Sequence, residues 1–274
     1  MSAPGTAPSA GGGANAPAAT PLGVTPRRVL RSEWIKLTTL RSTWLTFAVA
    51  VALMIGLGLL MAWLTVGEWA SMTEVERAQE QAGQRVLAGR LFAQLAIGVV
   101  GVIAITGEYA TGMIRATLAA VPRRLPVLWA KLGLFGAVTF VVMSAASFAA
   151  FFAGNRILAE HWQFSISDPG ALRVVVMTGV TLTAVCLLGT ALGFVLRNTA
   201  AAISAIVSIV LVLPILGQVA PRVAQYLPSG AMGALVTPTP QPDVLAPWPA
   251  LLLLGAYVAA AIAAAVFTLT RRDA

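Results

Sequence analysis

The chain has 274 residues, of which 58% are hydrophobic and only 10% are charged, and its mean hydropathy is +0.84. Soluble domains carry about 25% charged residues, and a soluble protein this apolar would expose large sticky patches, so the composition excludes a soluble protein. The net charge of +8 then indicates membrane topology and contact with anionic lipid headgroups, and it does not indicate binding to nucleic acid.

The first predicted element is an N-terminal tail. Residues 1–25 are rich in Ala, Gly, Pro and Ser and carry no charge. They have neither the basic region nor the apolar region of a secretory signal. We therefore expect this segment to be disordered.

Residues 26–42 show the periodicity of an amphipathic helix, with Thr25 as its cap. Val29 and Leu37 fall on an apolar arc, which Glu33 interrupts. The opposite arc carries basic side chains, namely Arg27, Arg28, Arg31 and Lys36. A basic amphipathic helix beside a span lies in the headgroup plane, so we predict an interfacial helix whose basic residues and Trp34 contact lipid or a partner. The alternative is that the basic residues only fix orientation.

Six apolar stretches are long enough to cross a bilayer, which requires about 20 residues. They cover residues 43–66, 91–106, 132–154, 174–196, 199–220 and 248–270. The second is short, so we expect its helix to extend at one end. If the N-terminus is cytoplasmic, the cytoplasmic segments hold 12 of the 18 basic residues and three of the ten acidic residues. The positive-inside rule therefore predicts two cytoplasmic termini and one six-span membrane domain over residues 43–272.

The segment between the second and third spans, residues 107–131, concentrates charge among apolar side chains. We expect Gly107 and Gly112 to interrupt the helix of the second span and Pro122 to end a short helix that follows. The apolar ridge of this short helix comprises Met113, Ile114 and Leu118. Apolar side chains among charges are typical of a docking surface, and Glu108 is expected to hold the short helix at its angle.

Two outer loops are long. Residues 67–89 are acidic and rich in Gln, and they predict a short external helix. Residues 221–247 hold six prolines, and a long free loop is uncommon in a compact protein. The first part of this Pro-rich region is apolar enough to re-enter the membrane edge, with a plain surface loop as the alternative.

The chain lacks the residue patterns that support catalysis. It has no phosphate-binding loop, so we expect no ATPase site in this chain. Its single histidine, His161, has only scattered acids for company and would form a poor metal site. The serines in the spans have no His or Lys in the spans to act as the base that a serine protease requires. Ionisable residues are almost absent from the spans, which disfavours an ion-coupled carrier. We therefore expect neither an enzyme nor a metal-binding protein.

Small and polar residues occur in the spans at helix-packing spacings. Gly189 and Gly193 form a GxxxG pattern in the fourth span, and small faces let helices approach closely. Ser204 and Ser208 are one turn apart in the fifth span, and Gln94 lies near the start of the second. We expect these residues to pack helices, with a role in lining a pathway as the alternative.

A resemblance to a known family rests on two motifs and on the order of the six spans. The motifs are RSEWIKLTTLRSTW before the first span and ITGEYATGMIRATLAAVPRRLPVLWAK after the second. From about residue 27 to residue 272, the chain resembles the permease subunit of type 2 ABC exporters, in the form common in actinobacteria. The resemblance implies a homodimer in the bacterial cytoplasmic membrane, paired with two copies of a separate ATPase subunit that binds ATP and Mg.

In that family an interfacial helix precedes the first span, a coupling helix between the second and third spans enters a groove on the ATPase, and re-entrant helices precede the sixth. The resemblance assigns the coupling role to Glu108, Tyr109, Gly112, Met113, Arg115, Pro122, Arg123 and Arg124, beside the ridge residues Ile114 and Leu118. It implies export of an amphipathic compound such as an antibiotic, a peptide or a lipid, with no cofactor in this chain. The alternative is a non-transporting membrane protein that recruits or senses a cytoplasmic partner.

Overall fold

Six long apolar helices dominate the structure, a computed structural model. It describes residues 25–68, 71–73, 85–121, 124–159, 165–238, 241 and 243–271. Within these residues the secondary structure is helical, and no strand occurs. Six helices are long and apolar enough to cross a membrane, which confirms the prediction of an all-α, multi-pass membrane protein. The predicted tail, apart from Thr25, lies outside the described residues, as do His161 and most of the predicted external helix.

The described part of the chain forms α-helices of very different lengths. In chain order they are α1 (Pro26–Thr39), α2 (Arg41–Glu68), α3 (Arg90–Ala110), α4 (Met113–Ala120), α5 (Leu125–Leu158), α6 (Ala171–Leu196), α7 (Thr199–Val207), α8 (Leu213–Val219), α9 (Pro221–Ala224), α10 (Pro228–Leu235) and α11 (Pro247–Arg271). A π-helical segment, Ser208–Val212, joins α7 to α8, so together they form one span. The other five spans are α2, α3, α5, α6 and α11.

Two span boundaries differ from the prediction. Helix α5 begins at Leu125, well before the predicted start at residue 132, so Lys131 lies inside a helix. Helix α3 continues through Gly107, which we expected to interrupt it. A glycine inside a helix costs only about 1 kcal/mol relative to alanine, and the apolar contacts of the span exceed that cost. The chain turns instead at Gly112, whose φ of 71° lies in the left-handed region that favours glycine.

The centre of the bundle is the contact between α3 and α6. A Cβ atom added at Gly189 would lie 2.5 Å from the carbonyl oxygen of Gly98 on α3. A Cβ atom added at Gly193 would lie 3.0 Å from the Cβ of Ile105. The GxxxG face of α6 is therefore used inside the chain, where it allows the backbones of α3 and α6 to approach closely.

The Pro-rich region folds back onto the spans. Helices α9 and α10 lie within it, and α10 packs against α6 and α11. The Arg173 guanidinium on α6 donates to the carbonyl oxygens of Thr237 at 2.9 Å and Pro238 at 2.8 Å. The Tyr257 hydroxyl on α11 donates to the carbonyl oxygen of Tyr226 at 2.9 Å. These bonds hold the Pro-rich region against one end of the bundle, which is the end at which Arg90 lies.

Candidate functional site

Helix α1 presents one stripe of residues to the bundle. Val29, Glu33 and Leu37 are each spaced by four residues, and all three are buried. Thr25 caps the helix by accepting a hydrogen bond from the backbone N–H of Arg28, as expected, at 3.4 Å. Glu33 therefore lies in the middle of the packed face. A carboxylate in that position requires a partner of opposite charge, because burying an unpaired ion is strongly unfavourable.

The partners of Glu33 come from two helices, and they form a closed ring of four charges. Lys36 Nζ lies 2.7 Å from Glu33 Oε1 and 2.9 Å from Glu108 Oε1. Lys131 Nζ lies 2.6 Å from Glu33 Oε2 and 2.9 Å from Glu108 Oε1. We call Glu33, Lys36, Glu108 and Lys131 the charge network. The two lysines balance the charge of the two carboxylates, so the network is neutral. Because each lysine contacts both carboxylates, the network joins α1, α3 and α5.

Burial makes the charge network a rigid connection. The side chains of Glu33 and Lys131 are 1% and 2% exposed, and that of Glu108 is 6% exposed. Desolvating four charges offsets much of their attraction, so an intact network adds little net stability, whereas removing one member leaves an uncompensated charge. The arrangement therefore defines how the three helices are positioned more than it strengthens the fold.

Lys36 extends the charge network to the short helix α4. Its Nζ donates to Thr117 Oγ1 at 3.3 Å in addition to the two carboxylates. Burial lowers the pKa of Lys36, but hydrogen bonds and charge attraction from Glu33 and Glu108 outweigh this effect, so the pKa is raised above 10.5. We expected Lys36 on the exposed basic arc, and this was wrong. It turns inward because two carboxylates lie there.

The other predicted residues of α1 remain on its outer surface. Arg27, Arg28 and Arg31 are exposed. Trp34 is 48% exposed and is followed by the exposed Ile35. The helix therefore has three faces, which are a packed stripe, an exposed apolar stripe and a basic face. This pattern is typical of a helix that lies on a membrane surface.

The apolar ridge predicted on α4 is divided. Met113 is 39% exposed, whereas Ile114 and Leu118 are buried. Ile114 and Leu118 belong to a small apolar cluster that includes Phe194 of α6 and Leu269 of α11. Because a helix of two turns has few positions to hold it in place, these two side chains anchor α4 to the spans. They do not face outward as a three-residue docking ridge requires.

Several charged residues near α4 also contact the chain itself. Arg124 Nη1 donates to the carbonyl oxygen of Leu269 at 3.2 Å, and Arg197 Nη2 donates to that of Thr268 at 3.4 Å. Cations are favourable at the end of a helix such as α11, where carbonyl groups lack partners. Arg197 also lies over the ring of Tyr109, with 5.4 Å between the guanidinium carbon and the ring centroid.

Only some of the residues predicted to contact a partner therefore lie on the outward side of α4. Gly112, Met113 and Arg115 are exposed. Pro122 and Arg123 lie outside the described residues. A cavity of about 210 Å³ separates Met113 from α1 and borders Glu108, whose Oε2 accepts no hydrogen bond within the described part of the chain.

The predicted packing residues occupy two different environments. Gly189 and Gly193 contact α3, as described above, and Gln94 is buried, with its Nε2 3.8 Å from Met232 Sδ. Ser204 and Ser208 are exposed, and the Ser208 hydroxyl donates to the Ser204 carbonyl oxygen at 2.8 Å. The Ser208 hydroxyl therefore bonds within its own helix, and both serines lie on an outward face of the span.

Sequence reasoning missed Glu33 and Lys131 as members of a site. One signal was present, because an acid on the apolar arc of a helix needs a nearby cation. The spacing of Glu33 and Lys36 is also suited to an ion pair on one helix. The contribution of Lys131 was hidden, since it was assigned to the cytoplasmic segment 107–131 and not to the third span.

Among the described residues, no group of three His, Cys, Asp or Glu side chains is placed to hold a metal ion. The chain matches no family model and no curated protein. The charge network and the exposed side of α4 are therefore the features of the chain that bear on its function.

Proposed function

We propose that the chain is the membrane-spanning permease subunit of an ATP-driven ABC exporter that moves an amphipathic compound out of a bacterial cell. A permease of this kind works as a pair, here two copies of this chain with two copies of an ATPase subunit. ATP and Mg bind to the ATPase subunit, and this chain carries no cofactor. Its termini and helix α4 lie on the cytoplasmic side, where the ATPase binds.

The observation that supports the proposal is the connection between α4 and three other helices. Ile114 and Leu118 anchor α4 to the spans, while Lys36 joins it to Glu108 through Thr117 and the charge network. A displacement applied to α4 therefore reaches α1, α3 and α5 together. Energy for transport is supplied by ATP hydrolysis in the partner, since Glu108 and Lys131, buried ionisable residues of the spans, are already paired within the charge network.

The exposed part of α4 supplies the docking surface. Met113 is an exposed apolar side chain and Arg115 an exposed cation beside it. Apolar anchors contribute most of the energy of such interfaces, and the charges at the rim contribute less. In this arrangement Met113 enters a groove on the ATPase, and Ile114 and Leu118 hold α4 in place behind it.

Replacing Met113 tests the proposal directly. Met113→Asp should abolish copurification of the proposed ATPase subunit, because a carboxylate then occupies an apolar groove. Transport of a fluorescent amphiphile into inverted vesicles should fall at least tenfold. The purified chain alone should hydrolyse no ATP. The measurements are copurification after coexpression, ATP hydrolysis with and without the partner, and vesicle transport.

A matched control separates docking from folding. Arg222→Asp places the same side chain at an exposed position of α9, at the opposite end of the spans, and should leave copurification unchanged. Ile114→Asp is unsuitable because Ile114 is buried within the chain. Normal copurification and normal transport by Met113→Asp would exclude α4 as the docking helix. ATPase binding without vesicle transport would favour the alternative, a membrane protein that recruits a cytoplasmic partner.

A further inference from the structure

The end of α3 remote from the charge network carries a cation without a counter-charge. Arg90 is the first residue of α3 and is partly buried. Within the described residues, no carboxylate pairs with its guanidinium. Arginine keeps its positive charge at all physiological pH values and presents five N–H donors in a planar fork. A partly buried guanidinium in this state is suited to an anion from outside the chain.

Arg90 lines a cavity that has room for such an anion. The cavity has a volume of about 320 Å³ and lies between α3, α8 and α10. Among the described residues, Gln94 and Ser229 are the other polar side chains that line it, and no acidic residue does so. Leu213 and Leu227 are among the apolar side chains of the wall. The volume is at the lower end of the range for ligand pockets, and it suits a headgroup with its first few carbons.

We propose that this cavity binds the anionic head of an amphiphile, a phosphate or a carboxylate group. Arg90 donates two parallel N–H bonds to two oxygens of the head, the geometry that guanidinium groups form with such anions. Gln94 Nε2, which now lies 3.8 Å from Met232 Sδ, donates to a third oxygen of a phosphate, or to the remaining lone pair of one carboxylate oxygen. Sulfur is a weak acceptor, so this exchange gains a stronger hydrogen bond. The apolar wall contacts the start of the chain that follows the head.

The anionic head has two possible sources, a phospholipid of the surrounding bilayer and a separate amphiphile. Both present the same chemistry to Arg90, so binding assays with different probes distinguish them. The inference does not rest on the proposed transport function, because binding is measured with the chain alone.

The test measures binding of three probes to the purified full chain in a neutral maltoside detergent by native mass spectrometry. The probes are decyl phosphate, phosphatidylglycerol and inorganic phosphate. Wild-type chain should bind decyl phosphate or phosphatidylglycerol, and the tighter of the two identifies the source. Inorganic phosphate should bind at least tenfold more weakly, because it makes no apolar contacts. Binding of inorganic phosphate as tight as that of either amphiphile would contradict the assignment of an amphiphile.

Three variants locate the binding. Arg90→Gln should weaken amphiphile binding at least tenfold, because the fork of donors is lost. Gly233→Leu should block binding while the charge remains, since Gly233 lines the cavity and a Cβ atom added there would lie in open space. Arg222→Gln removes an exposed cation that does not line the cavity, so affinity should change less than twofold.

Each outcome decides the proposal. Loss of binding in Arg90→Gln and Gly233→Leu, with wild-type affinity in Arg222→Gln, supports it. Equal affinity in wild type and Arg90→Gln overturns it. An equal loss in Arg90→Gln and Arg222→Gln also overturns it, because binding would then follow net charge rather than the cavity.

Discussion

The two ends of α3 hold charge in opposite ways. At one end, Glu108 lies in a neutral ring with Glu33 and two lysines. At the other end, Arg90 lines a cavity to which the described residues contribute no carboxylate. Helix α3 has 21 residues, so the two ends lie about 30 Å apart. Charges that are neutralised within the chain hold helices together, whereas a charge left unpaired is available to a ligand.

The strongest test of this comparison removes one cation from each end. Lys131→Met leaves two buried carboxylates with Lys36 alone, so we expect a loss of about 3–5 kcal/mol in the free energy of unfolding. Arg90→Gln removes a cation that has no partner among the described residues, so we expect little or no loss. The measurement is denaturation of both purified variants in detergent, with tryptophan fluorescence as the signal that monitors unfolding.

A charge-balanced variant provides the control. Combining Lys131→Met with Glu33→Gln leaves Lys36 and Glu108 as one neutral pair, so it should recover part of the stability that Lys131→Met loses. If the double variant is less stable than Lys131→Met by the full cost of Glu33→Gln alone, the two residues are not coupled. The charge network would then not be a closed ring.

The sequence was sufficient to predict the spans but not the charge network. The length of each apolar stretch was enough to predict all six long helices, because a helix that crosses a bilayer needs about 20 apolar residues whatever its neighbours are. The network depends on residues such as Glu33 and Glu108 that are far apart in the chain, and their pairing follows from how α1 packs on α3 and α5. Periodicity within one segment carries no information about that packing.

The same reasoning explains the divided ridge of α4. Sequence spacing placed Met113, Ile114 and Leu118 together as one apolar group, and it could not tell which neighbour each one meets. The structure shows that Ile114 and Leu118 pack on the chain and that Met113 is exposed. A short amphipathic helix has the same pattern whether its apolar residues face the protein itself or a partner.

A second test examines the middle of α3, which must be fixed on α6 if its two ends are to keep their positions. Gly189→Leu introduces a side chain where even a Cβ atom would lie 2.5 Å from the Gly98 carbonyl oxygen. Overpacking of this kind costs about 1–3 kcal/mol, so we expect a measurable loss in the free energy of unfolding. The matched control is Gly233→Leu, at a position where an added Cβ atom would meet no atom within 4 Å, and it should leave stability close to wild type. Equal stability of both variants would mean that α3 and α6 are not in close contact.

The smallest expected effect concerns Lys36, the most exposed member of the charge network, with 22% of its side chain exposed. Its pKa is raised above 10.5, so the charged form stabilises the fold below about pH 10.5, and this contribution is lost as the pH rises through the raised value. Lys36→Met lacks this titration, so its stability deficit relative to wild type should narrow above about pH 10.5.

The measurement is chemical denaturation of wild type and Lys36→Met between pH 8 and about pH 11.5, a range that spans the ordinary lysine pKa. Arg31→Met, at an exposed position of the same helix, is the control, and its difference from wild type should not change over this range. A constant deficit for Lys36→Met would mean that its charge does not stabilise the carboxylates of the network. The paired end of α3 would then depend on Lys131 alone, and the contrast with the unpaired end at Arg90 would be weaker.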